Sequence, residues 1–232
     1  MTFKFLCLAG AFGSTEVCQL SVEFELHVAH LNTTEIQGAA WYVFLPALNI
    51  FTDGSEAPLL NQLEGDGTAS FHFIHGLHEA TPPPGYEDFF GGPPFFRFLE
   101  ETKDPNGVDG LERIRDFPAG ASPEDTIRLF NPLGDSEGLA ITAQQALDYV
   151  VGVVKEHGPF DGIVGYSEGA LVAGTLVLKE EELRKNDPEY KNQIKMGMFF
   201  GGWPPLRPDL KRFVLADETD LQMEIATCHV SE

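Results

Sequence analysis

Positive charge is scarce in this chain of 232 residues, where 15 lysines and arginines stand against 36 aspartates and glutamates. The formal net charge of −21 would repel nucleic acid and anionic membrane surfaces, which argues against both as partners. Long apolar runs are missing too, since no stretch approaches the roughly 20 residues that a helix needs to cross a bilayer. We therefore expect a soluble protein without a membrane partner.

Cysteine is also rare. Cys7, Cys18 and Cys228 form no even set for a disulfide framework, and Cys7 and Cys228 lie in apolar runs that predict buried free thiols. The apolar run after Lys4 is about seven residues long, at the lower limit for a secretory signal, and no clear cleavage site follows it. It predicts a first core strand and a cytoplasmic location.

The most informative motif is Gly-x-Ser-x-Gly at residues 165–169. The apolar pair Ile163-Val164 precedes it and a helix-compatible segment follows. This order of strand, sharp turn and helix is what a nucleophile elbow requires, with glycine where a side chain would collide with its neighbours. Ser167 is therefore the candidate nucleophile, and the backbone N–H of Glu168 is a candidate oxyanion donor. The alternative is a plain strand-to-helix turn in which the serine caps the helix.

Short apolar segments alternate with helix-compatible ones over most of the chain. The predicted strands are 3–8, 71–74, 163–164, 196–200 and 225–230, and the predicted helices are 57–64, 137–157 and the segment after Ser167. This alternation predicts an α/β fold with a mostly parallel sheet and helices on both faces, in a single domain over 1–232. The charged run 179–185 at the end of the last helix is predicted to be solvated.

Two turns follow predicted strands where ligands of α/β sheets bind. Small residues from Ala9 to Ser14 follow the first strand, and Ala11 or Phe12 could supply a second oxyanion N–H, although an ordinary glycine-rich turn fits as well. His75 follows the second strand and is a candidate substrate contact, with a plain polar loop residue as the alternative.

The loop at 81–98 combines consecutive prolines with five phenylalanines. Such a loop could form a wall or lid over an apolar pocket, or it could be pinned to the core by its own aromatic rings. The segment that follows, 101–131, is predicted to be a surface connection with about one helical turn.

Four stretches together resemble the fungal serine hydrolase family, and within it the esterases and thioesterases of polyketide pathways. They are Lys4 to Leu8, the Glu-Gly-Asp-Gly-Thr-Ala-Ser-Phe run at 64–71, the Ala-Thr-Pro-Pro-Pro-Gly loop at 80–85, and the elbow with its following alanine at 165–170. The resemblance implies an α/β-hydrolase fold, no cofactor and no metal. It also implies a Ser-Asp-His triad that hydrolyses an acyl ester or thioester in polyketide or other secondary-metabolite biosynthesis. The implied substrate is a small molecule or a carrier-bound acyl chain, with a polyketide synthase acyl carrier domain as a candidate partner.

The sequence departs from this family at three places. Ala9 stands where the family's first loop has a histidine, and the atypical segment 18–48 resembles an insertion, which we interpret as a translated intron or a mispredicted gene model. The family's acid and histidine follow the strand at 226–230, so we expect a domain truncated at its C-terminus, without that segment.

His229 lies inside the strand pattern and matches the family's strand histidine rather than its base. The acidic residues Asp209, Asp217 and Asp220 precede that strand, and His157 is placed to cap a helix end.

Two hypotheses follow from these departures. The chain is either a pathway hydrolase whose sequence is truncated or misassembled, or a catalytically impaired remnant that binds an acyl substrate without turnover. An acidic carrier protein would need a local basic patch to dock on so acidic a chain. Arg207, Lys211 and Arg212 are the densest candidates, with simple solvation of a loop as the alternative.

Overall fold

A computed structural model of the chain describes residues 2–11, 63–82, 93–100, 120–130, 136–218 and 222–230. The predicted insertion at 18–48, Phe12, Cys18 and Asp220 lie outside these ranges. So do the centre of the proline-aromatic loop and most of the predicted helix at 57–64, of which residues 63 and 64 are described and helical.

The described elements alternate between strands and helices along the chain. In order they are β1 (Phe3–Leu8), β2 (Ala69–Ile74), β3 (His78–Ala80), β4 (Phe95–Arg97), α1 (Pro123–Phe130), α2 (Ser136–His157), β5 (Gly162–Tyr166), α3 (Glu168–Asn186), β6 (Met196–Phe200), β7 (Leu206–Arg207), a 3-10 turn (Pro208–Leu210), β8 (Arg212–Phe213) and β9 (Ala226–Val230). Five strands form one sheet in the order β2-β1-β5-β6-β9, and every neighbouring pair is parallel. The predicted α/β-hydrolase fold with its mostly parallel sheet is confirmed.

Both faces of the sheet are apolar, which explains the near-continuous hydrophobic strands in the sequence. On one face, Leu6 and Ile163 pack in the main core with α2 and α3. On the other face, Phe5 stacks on Phe71 with ring centroids 5.6 Å apart, and Leu63 from the helical residues at 63–65 packs against this second cluster.

Helix α2 presents the apolar stripe that its sequence spacing predicts. Its buried positions step by three and four residues and include Leu139, Ala143, Leu147, Val150 and Val154. The helix ends before Gly158-Pro159, where the Gly158 N–H donates to the carbonyl of Val154 at 2.9 Å, so the predicted stop is confirmed.

The connection between β2 and α2 is more ordered than predicted. Strands β3 and β4 pair antiparallel, with His78 opposite Arg97, so part of the predicted loop at 81–98 is the stem of a hairpin. Helix α1 has 8 residues, about two turns where about one was expected. Its start is stabilised by the Ser122 hydroxyl, which accepts the N–H of Asp125 at 3.1 Å.

The prediction that the charged run at 179–185 is solvated is wrong for two of its members. Glu180 and Glu181 are buried, because the segment before β6 supplies their carboxylates with donors. The backbone N–H groups of Gln193 and Ile194 donate to Glu180 at 3.1 and 3.0 Å. A buried carboxylate is tolerated when its hydrogen bonds are satisfied in this way.

The prediction of buried thiols is right for Cys7 and wrong for Cys228. Cys7 lies on β1, which has β2 on one side and β5 on the other. Cys228 lies on β9, which ends the order of the five described strands, and its side chain is exposed. Among the helices that the structure describes, none combines the length and apolar character that a membrane crossing demands.

Candidate active site

The order of the strands determines where a ligand would bind. Strand β2 lies on one side of β1, and β5 lies on the other side. The direction in which strands are added to the sheet therefore reverses between β1 and β5. Ligands of open α/β sheets bind in the crevice beyond the carboxyl ends of two such strands. These ends lie side by side, with Leu8 opposite Gly165. Ser167 follows the end of β5, and Ala9 to Ala11 follow the end of β1.

Ser167 has the backbone conformation of a nucleophile elbow. Its φ of 51° and ψ of −118° lie where residues with a Cβ are rarely found, which stores strain in the turn. Two hydrogen bonds hold it there, from its N–H to the carbonyl of Phe200 at 2.8 Å and from the N–H of Ala170 to its own carbonyl at 3.0 Å. The Ser167 side chain makes no capping bond to α3, so the structure does not support the alternative of a capping serine.

The two glycines of the motif lie where backbone segments touch. A Cβ atom at Gly165 would be 2.6 Å from Cα of Ala170, and one at Gly169 would be 2.4 Å from the carbonyl oxygen of Ala9. Both distances are too short for non-bonded heavy atoms. The predicted reason for glycine at these positions is confirmed, since the turn packs directly on the strand and the loop beside it.

The loop after β1 reaches the elbow. A Cβ atom at Gly10 would lie 2.9 Å from the Tyr166 ring and 3.2 Å from Cβ of Ser167. The loop that carries Ala11 therefore packs on the turn that holds the proposed nucleophile. A role for the Ala11 N–H as an oxyanion donor stays a prediction, as does that of the Glu168 N–H. The latter belongs to the first turn of a helix, where N–H groups have no partner within the helix.

The side chain of Glu168 was not part of the predicted site, yet it is buried and held by four donors. Arg97 donates from Nε at 3.3 Å and from Nη2 at 3.2 Å, and the Phe98 N–H donates at 2.7 Å. Burial raises the pKa of the Glu168 carboxyl, while Arg97 and the N–H groups of Phe98 and Leu99 act in the opposite direction. No feature of the sequence signals this pairing, because 71 residues separate the two charged side chains.

His75 lies at the carboxyl end of β2, as predicted, and its ring stacks on Phe96 with centroids 3.9 Å apart. Its Nδ1–H donates to the carbonyl of Gly76 at 2.7 Å. These contacts join His75 to the β3–β4 hairpin. Its contact with substrate stays a prediction.

A cleft of about 450 Å³ opens beside the elbow. Ala170, Gly174 and Leu178 line it from one face of α3, and Gly202, which packs against Ala170, lies at its border with the elbow. The rest of the wall is mostly apolar and includes Phe199, Trp203, Pro205, Val214, Leu215, Met223 and His229. Its mostly apolar lining fits an apolar ligand.

His229 lies within β9, as the strand pattern predicted, and its ring packs on Phe199 with centroids 5.0 Å apart. Desolvation lowers the pKa of His229, which favours the neutral imidazole. In the part of the chain that the structure describes, no hydrogen bond joins the Ser167 hydroxyl to a histidine or a carboxylate. The structure therefore brings together Ser167, Glu168 and the loop after β1, without assigning a base.

The other charged candidates are engaged in ion pairs. Asp217 accepts from Arg128 at 2.6 Å, and Asp209 accepts from Arg207 at 2.7 Å, which lowers the pKa of Asp209. Arg207 also binds Glu182 at 2.8 Å, and Arg212 binds Glu218. Two members of the predicted basic patch are thus paired with carboxylates. His157 stacks on His72 at the end of α2, with ring centroids 4.6 Å apart.

Comparison with known proteins agrees with this geometry. A family model described as serine hydrolase (FSH1) matches residues 68–231. An uncharacterized hydrolase of Schizosaccharomyces pombe is 29% identical over 113 residues, which cover 45% of this chain and 24% of that protein. The protein named family of serine hydrolases 3 from Saccharomyces cerevisiae is 23% identical over 128 residues, covering 55% of this chain and 48% of that protein. Esterase FUS5 of Gibberella moniliformis is 32% identical over 65 residues, covering 28% of this chain and 26% of that protein. The chain thus spans between a quarter and a half of the length of these relatives.

Proposed function

Because the chain belongs to the serine hydrolase (FSH1) family, we propose that it hydrolyses a carboxylic ester or thioester through an acyl intermediate on Ser167. The observation that carries this proposal is the positive φ of Ser167 at the strand-to-helix turn, where the side chain makes no capping bond to its own helix. A serine in that conformation extends its hydroxyl beyond the sheet, toward the crevice at the carboxyl ends of β1 and β5.

The reaction has two steps. In the first, Ser167 Oγ attacks the carbonyl carbon as a base takes its proton, and the carbonyl oxygen becomes an anion. The N–H groups of Glu168 and Ala11 are the proposed donors to that anion. The alcohol or thiol then leaves with a proton, and in the second step water attacks the acyl-serine to release the acid. In α/β-hydrolases a histidine oriented by a carboxylate is the base, and among the described residues neither role is assigned.

The cleft beside the elbow supports an acyl group as the part of the substrate that is recognised. It is mostly apolar and adjoins the elbow through Ala170 and Gly202. Similarity to a protein named an esterase also supports an ester substrate. We propose an acyl chain of polyketide or other secondary metabolism as the natural substrate, hydrolysed in the cytoplasm.

The charges bear on the leaving group. Acyl carrier proteins are acidic, so the net charge of −21 would repel them at long range. Arg207 and Arg212, which could offset this locally, are already paired with carboxylates of the same chain. These pairs favour a small free ester over a carrier-bound thioester.

The test uses a fluorophosphonate probe, which reacts with activated serines, together with chromogenic esters of increasing acyl length. We expect labelling at Ser167 and hydrolysis that falls by about 10⁴-fold or more in Ser167→Ala. Ser70→Ala, at a serine on β2, is the matched control and should leave both unchanged. Folded protein that neither reacts with the probe nor hydrolyses esters would refute the proposal. If such protein still bound a fatty acid in calorimetry, binding without turnover would be the function.

A further inference from the structure

We propose that Arg97 is a positioning residue, which holds Glu168 so that the N–H of Glu168 faces the oxyanion. This inference rests on the proposed hydrolase function for its kinetic consequence, but the position of the N–H can be measured without any activity.

The first step is the rigidity of the segment that carries Arg97. Arg97 ends β4, and it is buried together with Phe98 and Leu99. On one side this segment packs directly on the turn after β2, since a Cβ atom at Gly76 would lie 1.9 Å from the carbonyl carbon of Arg97. On the other side it donates to Glu168. The segment is therefore fixed between β2 and the start of α3.

The second step is the set of hydrogen bonds that holds the Glu168 carboxylate. Both Arg97 bonds reach one oxygen of Glu168, and the Phe98 N–H reaches the other at 2.7 Å. A side chain held at both oxygens has lost its freedom to change rotamer, so Cα of Glu168 is fixed as well. The peptide between Ser167 and Glu168, which carries the proposed oxyanion donor, ends at that Cα.

The third step is the reason why the turn at Ser167 needs this restraint. A strained φ at Ser167 is kept only where its surroundings hold it, because rotation of the adjacent peptides would relieve the strain. The Ser167 side of the turn is held by Phe200 and Ala170. On the other side, the N–H of Glu168 precedes the first intrahelical bonds of α3 and is not restrained by them. The Glu168 carboxylate supplies the restraint through its own side chain.

The fourth step concerns charge. A buried carboxylate on the residue after the nucleophile would oppose a second negative charge on the substrate oxygen nearby. Arg97 compensates that charge with a guanidinium, which makes the pair neutral as seen from the crevice. Removing Arg97 should therefore disturb the orientation of the Glu168 N–H and also raise the electrostatic energy of the oxyanion.

These steps predict the behaviour of variants in the full chain. Arg97→Met should lower kcat by up to about 100-fold with KM nearly unchanged, because a misplaced donor weakens the transition state more than the bound substrate. Its kcat should also fall more steeply with rising pH than that of wild type, because ionisation of Glu168 would then place a negative charge near the oxyanion without a guanidinium beside it. Arg97→Lys should recover part of kcat, since lysine restores the charge but not the two-pronged geometry. Arg128→Met, which breaks an exposed pair with Asp217, is the control and should leave kcat unchanged.

A measurement on the N–H itself separates this inference from the proposed function. In protein labelled with ¹⁵N-glutamate, the Glu168 resonance should shift or broaden in Arg97→Met and return toward its wild-type position in Arg97→Lys, while that of Glu156 stays in place. An unchanged Glu168 resonance in a folded Arg97→Met protein would overturn the inference, whether or not the wild type hydrolyses esters. A variant that loses stability at unchanged kcat would overturn it too. Wild-type protein that is inert to substrate and probe would refute the hydrolase function alone.

Discussion

A Cβ atom at Gly169 would lie 2.5 Å from the carbonyl oxygen of Leu8, so the first turn of α3 rests directly on the end of β1. Gly169→Ala should therefore force the two backbones apart. We expect a loss of about 1–3 kcal/mol in the free energy of unfolding, together with slower fluorophosphonate labelling of Ser167. Urea unfolding and a labelling time course measure the two effects.

The matched control for this substitution is Gly152→Ala. Gly152 lies inside α2 with no atom within 4 Å of the added Cβ, so the exchange should stabilise the protein by about 0.4–1 kcal/mol. Equal urea midpoints for Gly169→Ala and wild type would contradict the close packing of α3 on β1.

Removing the buried carboxylate of Glu181 should lower the stability of the folded protein. Its side chain is 0% exposed and accepts bonds from Arg184 at 2.8 Å, Asn192 at 2.9 Å and the Glu224 N–H at 3.3 Å. In Glu181→Ala the donors of Asn192 and Glu224 lose this partner, which should lower the free energy of unfolding by about 1–3 kcal/mol. Glu156→Ala is the control, with a side chain that is 77% exposed, and should change it by less than about 0.5 kcal/mol. Similar urea midpoints for the two variants would show that Glu181 is not a structural anchor.

The environment of His72 should make the stability of the protein depend on pH. Burial lowers the pKa of His72 below its ordinary value of 6.5, with smaller contributions from His157 and Lys4. The folded protein therefore favours the neutral ring. Its contribution to stability is complete above the unfolded pKa and is lost as pH falls through that value toward the folded pKa.

The measurement is the urea midpoint of wild type and His72→Phe over a series of pH values. We expect the wild-type midpoint to fall on the acid side of about pH 6.5 and the variant to fall less. His157→Gln should show an intermediate slope, since it removes one of the two cationic neighbours. Parallel curves for wild type and His72→Phe would contradict this assignment.

The two described cysteines should differ in reactivity. Iodoacetamide should alkylate Cys228 in the native protein, because it is exposed on β9, and should spare Cys7, which is buried in β1. Peptide mass spectrometry before and after denaturation distinguishes the two sites. Modification of Cys7 at the same rate as Cys228 under native conditions would be inconsistent with the position of β1 inside the sheet.

Local patterns in the sequence were sufficient to predict the parallel sheet and the nucleophile elbow. The run from Phe5 to Leu8 is apolar because both faces of this part of β1 are covered, and the glycines at 165 and 169 mark a turn that admits no side chain. These features depend on neighbours in the chain or on the period of a strand, so a single sequence displays them.

Other features depend on residues that only the fold brings together. The bonds between Arg97 and Glu168 join β4 to α3, and β4 is too short at three residues to show a strand period. Glu180 and Glu181 have the sequence pattern of a solvated helix end, and the donors from Ile194 and Asn192 that help to satisfy them lie beyond the helix. The exposure of Cys228 follows from the place of β9 in the strand order, which its apolar sequence does not reveal.

Helix α3 is buried at every residue from Glu168 to Leu178, without the solvent-facing side that most helices have. A helix with one exposed side can open and close while the rest of the protein stays folded, and its amide protons then exchange with solvent. Here such an opening would expose residues that are buried in the folded protein, so we expect the amide protons of residues 168–178 to exchange only when the whole domain unfolds. The strained turn at Ser167 therefore lasts as long as the domain itself.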